Sequence, residues 1–392
     1  MNKKYYLIIL LSLVILNSCS KKRNRYSDFF DPIESFKINL DFKNFTELKS
    51  RYTSFLKSVI HNDTLRFAAF DEEKKIVYIK KIDLISKNTT EISYPTIFPD
   101  SLNIQEYRAY FSWLENKGYV INLQPFYKDN PRILQFYSDN GKLQKSLNTL
   151  SNIEPMHWIK FSEQPVTEKN GYSFFHTNMI STFNSKKIRE KYFQNGFGIK
   201  VNCDKVCPIE MLNIYYPEIY KQKRFYKTTF ELCINNDNEL CVSFEKNDSI
   251  FIYKEGKLKT QHYCGIQNPK KDFIGISDEF NTSEIFTMIP YLKKERKYES
   301  FIYDKHRNIY FRTFRGETKV TKNSKTLKDE YSKNQYFLVY DNNFNLIFEN
   351  KYDPFVKARY HYVLPEKKGI WIGERIENSS FLFTLYSINN NE

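Results

Sequence analysis

The sequence predicts an all-β protein, a β-propeller of about six four-stranded blades. Three observations predict it. First, an apolar strand carrying a tyrosine, a polar turn and a short segment ending in leucine recur along the chain. They read ILQFYSDNGKL from Ile133 to Leu143, IFIYKEGKL from Ile250 to Leu258 and FLVYDNNFNL from Phe337 to Leu346. A looser copy, IVYIKKIDL, runs from Ile76 to Leu84, and FLFTLYSI, Phe381 to Ile388, keeps the strand half. Second, another hairpin precedes most copies, so each unit supplies two hairpins, and two hairpins make a four-stranded sheet. Third, 30 Tyr and 34 Phe against 11 Gly favour strands joined by Asn, Asp, Lys and Glu turns.

The chain opens with a segment that is set aside from the fold. Lys3 and Lys4 precede an almost wholly apolar run from Tyr5 to Leu16, then Asn17, Ser18 and Cys19. A basic start, a short apolar core and small residues before a cut are the parts of a secretory signal peptide. The run is too short for a membrane span, which takes roughly 20 apolar residues. Leu16-Asn17-Ser18-Cys19 resembles the bacterial lipobox, with Asn at its second position a departure from the commonest form. The resemblance implies cleavage after residue 18 and lipid on Cys19, where two or three acyl chains hold firmly and one only marginally. Residues 19–34 are then expected to be a flexible tether, basic at Lys21, Lys22, Arg23 and Arg25. Lipoproteins of this kind in Bacteroidetes carry an acidic stretch here when exported to the surface. The basic tether points instead to the periplasmic face, and the lack of Asp after Cys19 points to the outer membrane.

The propeller is expected over 35–392. SFKINLDF, Ser35 to Phe42, is the candidate for a strand that completes the last blade and closes the ring. The first hairpins of the units are Leu65–Phe70 with Ile76–Ile82, Tyr107–Leu114 with Tyr119–Leu123, and Phe230–Ile234 with Leu240–Phe244. Phe301–Tyr303 with Ile309–Phe314 and His361–Leu364 with Ile370–Ile372 follow. The marker tyrosines are Tyr78, Tyr137, Tyr253, Tyr340 and Tyr386. They recur at intervals of one or two units, at roughly 50 to 60 residues per blade. The widest gap implies a degenerate copy, for which Phe183 to Phe193 is the candidate. The Lys-rich stretch 186–223 reads as an insertion, and 267–294 as a long connection.

Six cysteines are present; with Cys19 assigned to lipid, Cys203, Cys207, Cys233, Cys241 and Cys264 remain, an odd number that cannot all pair. If Cys233 faces Cys241, Leu232 meets Val242 and Ile234 meets Leu240, a register that pairs every apolar residue and puts both sulfurs on one face, close enough for a somewhat strained cross-strand disulfide; small buried residues without a bond are the alternative. Cys203 and Cys207 suit a short loop bridge. A zinc site built from all four matches no strong spacing template, so no metal is expected. His61, His157, His176, His262, His306 and His361 are scattered about one to a unit, as ordinary strand and turn residues would be.

No phosphate loop, GxSxG elbow, HExxH or EF-hand loop occurs, and no cofactor is implied. The best candidates for a binding site are Tyr303, Asp304, Arg307, Tyr310 and Arg312. Arg307 is placed to pair with Asp304 across a tight turn. Arg312 sits on an apolar strand, where its charge must be paired or face the central channel. The formal net charge of +14 is spread along the chain, which argues against nucleic acid as a partner.

The lipobox start, the repeat and the segment Tyr303-Asp304-Lys305-His306-Arg307-Asn308-Ile309-Tyr310-Phe311-Arg312 resemble the Bacteroidetes lipoproteins of the domain-of-unknown-function 4221 family. The resemblance implies a six-bladed propeller of the TolB-like kind and carries no activity with it. The expectation is a lipid-anchored periplasmic binding or scaffold protein whose partners are the membrane, through Cys19, and a protein or glycan ligand. The alternatives are a propeller hydrolase acting on a glycan or ester, and a sensor or assembly partner of an envelope complex.

Overall fold

A computed structural model of the chain describes residues 29–39, 54–61, 63–71, 74, 76–96, 107–115, 118–125, 132–148, 158–160, 165–178, 185–205, 209–225, 228–267, 272–277, 291–292, 294–318, 333–352, 360–375 and 380–388. Cys19, the rest of the expected leader, and Cys207 lie outside these residues. Six antiparallel sheets form. Blade 1 holds β2 (Ser54–His61), β3 (Thr64–Asp71), β4 (Ile76–Asp83) and β5 (Thr89–Pro95). Blade 2 holds β6 (Tyr107–Trp113), β7 (Tyr119–Pro125), β8 (Ile133–Tyr137) and β9 (Leu143–Asn148). In blade 3, β10 (Trp158–Lys160) and β11 (Glu168–Lys169) both pair with β12 (Tyr172–Asn178), which continues to β13 (Phe197–Val201) and β14 (Ile209–Ile214). Blade 4 holds β15 (Phe230–Ile234), β16 (Leu240–Phe244), β17 (Ser249–Lys254) and β18 (Lys257–Tyr263). Blade 5 holds β19 (Lys297–Asp304), β20 (Ile309–Thr318), β21 (Lys333–Tyr340) and β22 (Leu346–Tyr352). Blade 6 joins β23 (Tyr360–Glu366), β24 (Gly369–Arg375) and β25 (Ser380–Ile388) to the N-terminal β1 (Phe30–Asn39).

The marker tyrosines fall on β4, β8, β17, β21 and β25, the third strand of five blades. These strands are covered on both faces, which is why they read as short continuous apolar runs. ILQFY of β8 is buried throughout, whereas its outer neighbour β9 alternates between exposed and half-buried positions for most of its length. Turn chemistry fits as well. Gly118, at φ +85°, turns β6 into β7 where a Cβ would strike the Tyr137 carbonyl.

Apolar clusters join every neighbouring pair of blades. Phe67 packs with Trp371 and Phe383 between blades 1 and 6, and Val77 with Phe111 between blades 1 and 2. Phe136 meets Phe175 between blades 2 and 3, and Phe311 and Phe337 meet Val363 between blades 5 and 6. One larger aromatic cluster runs from Phe197 through Phe230 and Phe244 to Tyr310, spanning blades 3, 4 and 5. The ring is thereby closed. At the seam of blades 2 and 3 the backbone also pairs: Val166 N–H donates to the Trp113 carbonyl at 2.7 Å, and Glu115 N–H to the Val166 carbonyl at 3.0 Å.

The closing strand is the expected one, with Phe36 opposite Phe383 and Ile38 opposite Phe381. It starts earlier than Ser35, however. A bulge between Pro32 and Glu34 carries the pairing back to Phe30, which is wholly buried against Phe337 and Phe348. Phe29 stacks on Phe348 at 4.8 Å. The expected tether 19–34 therefore ends inside the ring, because two adjacent aromatics bury too much apolar surface to remain in water.

Blade 3 requires a second correction. The expected degenerate copy at Phe183 to Phe193 is instead largely helix α1 (Lys186–Tyr192), and the third and outer strands are β13 and β14. Much of the supposed insertion 186–223 is thus blade. What projects is α1 and the short helix α2 (Ile219–Gln222), whose Tyr192 and Tyr220 join the large aromatic cluster. Within 267–294, Ile276 bridges to Arg224 and Phe273 is buried.

The seam between blades 4 and 5 is bound by Arg312. Its side chain is fully buried on β20 and reaches into blade 4. Nε donates to Ser243 Oγ at 2.9 Å. Nη1 donates to the carbonyls of Asp248 at 3.1 Å and Cys264 at 2.9 Å, and Nη2 to those of Asn247 at 2.7 Å and Phe244 at 3.4 Å. The guanidinium lies 3.3 Å from the Tyr298 ring centroid. Of the two alternatives for this charge, pairing is the outcome: fork geometry and delocalised charge suit a ring of carbonyls as an ammonium would not.

Two stability predictions follow from this packing. Arg312→Leu strands several buried acceptors and is expected to cost about 3–5 kcal/mol in urea unfolding. Phe30→Ala, close to the chain start, is expected to cost a similar ~3–5 kcal/mol; a change below roughly 1 kcal/mol would mean that β1 does not close the ring.

Candidate functional site

Each blade runs its first strand outward to the same face, so the turns into the second strands gather round the mouth of the central channel. A cavity of about 590 Å³ opens there. All six blades line it: Asp63, Glu115, Thr167, Ile234, Tyr303 and Glu366 come from blades 1 to 6 in order. Ile60, Leu232, Phe301, Ile302 and Leu364 make its wall apolar. A side recess of about 360 Å³ shares Glu115, Thr167, Ile234, Tyr303 and Lys305 with it and adds Lys169 and Asn236. The volume and the apolar wall with a few polar groups are those of a small-ligand site.

Charge is distributed unevenly at this mouth. Lys305 from blade 5 and Lys367 and Lys368 from blade 6 are exposed and form no ion pair among the described residues. Glu366 and Asp63 meet across the seam of blades 6 and 1. Burial and the charge of the nearby Asp63 carboxyl hold the Glu366 carboxyl above its ordinary value. Burial, helped by Lys305, Arg307 and Lys367 and opposed by Asp304, lowers the His306 imidazole and so favours its neutral form. Burial raises the Tyr303 phenol to about 12, so it stays a hydrogen-bonding hydroxyl. That hydroxyl donates to Asn308 Oδ1 at 2.7 Å and accepts from the Asn236 N–H at 3.1 Å.

The five residues singled out in the sequence separate by role. Tyr303 lines the cavity. Asp304 is fully buried beneath the turn and accepts from the N–H groups of His306 at 2.9 Å and Arg307 at 3.3 Å, and from Arg307 Nη1 at 2.6 Å. Arg307 also donates from Nη1 and Nη2 to the Glu366 carbonyl, each at 3.1 Å. The pair therefore fixes the blade 5 turn against the blade 6 turn and positions Lys305, His306 and Glu366. Tyr310 is core, stacked on Phe344 at 4.5 Å with its hydroxyl 3.8 Å from Cys241 Sγ. Arg312 clamps blade 4 and does not reach the mouth. Cys233 faces Cys241 in the anticipated register, with Leu232 opposite Val242 and Ile234 opposite Leu240. Cys203, Cys233, Cys241 and Cys264 are free thiols. Among the described residues no group of three or more His, Cys, Asp or Glu is placed to hold a metal, and none has a helix long and apolar enough to cross a membrane.

Sequence reasoning missed Asp63, Glu115, Glu366, Lys367 and Lys368. A signal was present. PEKKG sits between the first two strands of its unit, as DKHRN does in the unit before. Turns at equivalent places in successive blades must converge on one face.

Comparison with known proteins agrees with this architecture. A crystal structure of a domain-of-unknown-function 4221 family member from Bacteroides vulgatus superposes with a TM-score of 0.67 at 16% identity, over 92% of this chain and 98% of that one. A Bacteroides fragilis protein matches at a TM-score of 0.48 and 10% identity, over 91% of this chain and 95% of that one. Among curated proteins, none matches. The sequence pattern of the domain of unknown function DUF4221 covers residues 51–351, five of the six blades in whole or nearly so, and the chain belongs to that family.

Proposed function

We propose that this propeller is a non-catalytic binding protein of the bacterial envelope, anchored through lipid on Cys19, that takes a ligand into the channel mouth. One observation carries the reading: the six inner strands end round an apolar cavity of about 590 Å³, with lysines on one side that form no ion pair among the described residues. Such a site suits a ligand with an apolar body and an anionic end, presented by a protein or glycan partner. Tyr303 and the rim amides supply orientation, and the rigid ring keeps the site formed before binding, which lowers the entropic cost of association.

The leader supports an anchored location: the apolar run Tyr5 to Leu16 leads to Cys19, and the basic tether and the lack of Asp after Cys19 favour the periplasmic side of the outer membrane.

Two experiments test this. The dye 8-anilinonaphthalene-1-sulfonate, an anionic apolar probe, is expected to fluoresce on binding the folded protein. Ile234→Trp should abolish that signal, and Lys305→Ala, Lys367→Ala and Lys368→Ala together should weaken it roughly tenfold, the sum of three exposed charge contacts. Dye binding unchanged in both variants, with melting temperatures also unchanged, would remove the cavity from the argument. For the anchor, Cys19→Ala is expected to move the protein from the membrane fraction to the soluble one; retention on membranes would refute lipidation.

A further inference from the structure

Cys233, on the inner strand β15, lines the channel cavity, and Cys241 stands directly opposite on β16. The backbone at both ends of this hairpin shows what kind of pair they form. Asn235 N–H donates to the Glu239 carbonyl at 3.1 Å, and Glu245 N–H to the Thr229 carbonyl at 3.1 Å. Hydrogen-bonded pairs alternate along an antiparallel ladder, so Cys233 and Cys241 form one too, with Cα atoms about 5.5 Å apart. That spacing lies within the range a disulfide spans, while the Cβ atoms of such a pair stand somewhat further apart than the ~3.8 Å a relaxed disulfide prefers. Access is unequal: Cys233 is reached from the cavity, whereas Cys241 is fully buried beside the Tyr310 hydroxyl.

We propose that Cys233 and Cys241 form a reversible dithiol–disulfide site in the channel wall, oxidised by small disulfides that enter through the mouth. The Cys233 thiolate attacks one sulfur of R–S–S–R and expels R–S⁻, leaving a mixed disulfide on Cys233. The Cys241 thiolate then attacks the Cys233 sulfur and expels the second R–S⁻. The two protons lost by the cysteines end on the two released thiolates. The protein pair gives up two electrons, and the entering disulfide is reduced to two thiols. Drawing two strands together at a hydrogen-bonded pair strains the bond, and strained disulfides are the readily reduced ones. The inference rests on register and cavity access and does not depend on which ligand the mouth binds.

The test uses the full chain, purified reduced and treated with 2-hydroxyethyl disulfide before denaturing alkylation. No Lys or Arg lies between Thr228 and Lys246, so trypsin releases both cysteines in one peptide. That peptide is expected to change from carrying two alkyl groups to carrying none, with the mass of an internal disulfide, and dithiothreitol should restore both groups. Cys241→Ser should stop at a mixed disulfide on Cys233. Cys233→Ser should leave Cys241 fully alkylatable. A folded wild-type protein whose peptide keeps two alkylatable thiols would overturn the proposal. So would a Cys233→Ser variant in which Cys241 takes up the reagent as fast as Cys233 does in the wild type.

Discussion

A four-stranded sheet with apolar residues on both faces cannot shelter itself, and everything else in this protein depends on that constraint. Second and third strands, such as β16 and β8, are buried along their whole length. Their faces are covered only by the neighbouring blades, so each blade needs two partners, and the requirement is met all round only when the series closes. Phe30 and Phe36 on β1 matter for this reason: they finish blade 6 from the other end of the chain and complete the clusters on either side. The N-terminal strand is thus a structural part of the ring.

Closure also determines where chemistry can occur. Packing side by side brings the six inner strands round one axis and their turns to one face, so residues far apart in the chain, Asp63 and Glu366 among them, become neighbours. The polar links across the seams are of two kinds. Arg312 is wholly enclosed and spends its donors on blade 4 carbonyls, holding the seam in one geometry. Arg307 lies nearer the surface, bridges Asp304 to the Glu366 carbonyl, and so positions the turns that rim the cavity. The first supports the frame and the second supports the site, though both are arginines on the same hairpin.

The thiol pair lies where frame and site meet. Cys241 and Tyr310 belong to the packed seam of blades 4 and 5, while Cys233 and Tyr303 face the mouth. A change in bonding at that pair acts directly on the cavity wall, because β15 has the channel on one side and β16 on the other.

Much of the fold was legible in the sequence because strand pairing is local. Alternation and turn residues within about twenty positions determine a hairpin, and for that reason the register of β15 with β16, the third-strand tyrosines and the closing strand could all be read directly. Blade 3 was misread where this locality fails: β12 and β13 are separated by α1, and Lys200 on β13 with the Lys and Cys residues of its connection to β14 obscured the alternation. Of the residues singled out, Tyr303 lines the cavity and Arg307 pairs with Asp304 across its turn as anticipated, whereas Tyr310 and Arg312 are packed into the seam of blades 4 and 5. By itself the sequence determined the class of fold, the blade count and the pairing inside most blades, since these follow from short-range periodicity. Only the tertiary structure decided which turns share a mouth, that Arg312 is satisfied by a neighbouring blade, and that Asp63 meets Glu366. Those contacts are made by closure of the ring, and no single hairpin carries the information that specifies its neighbour across a seam.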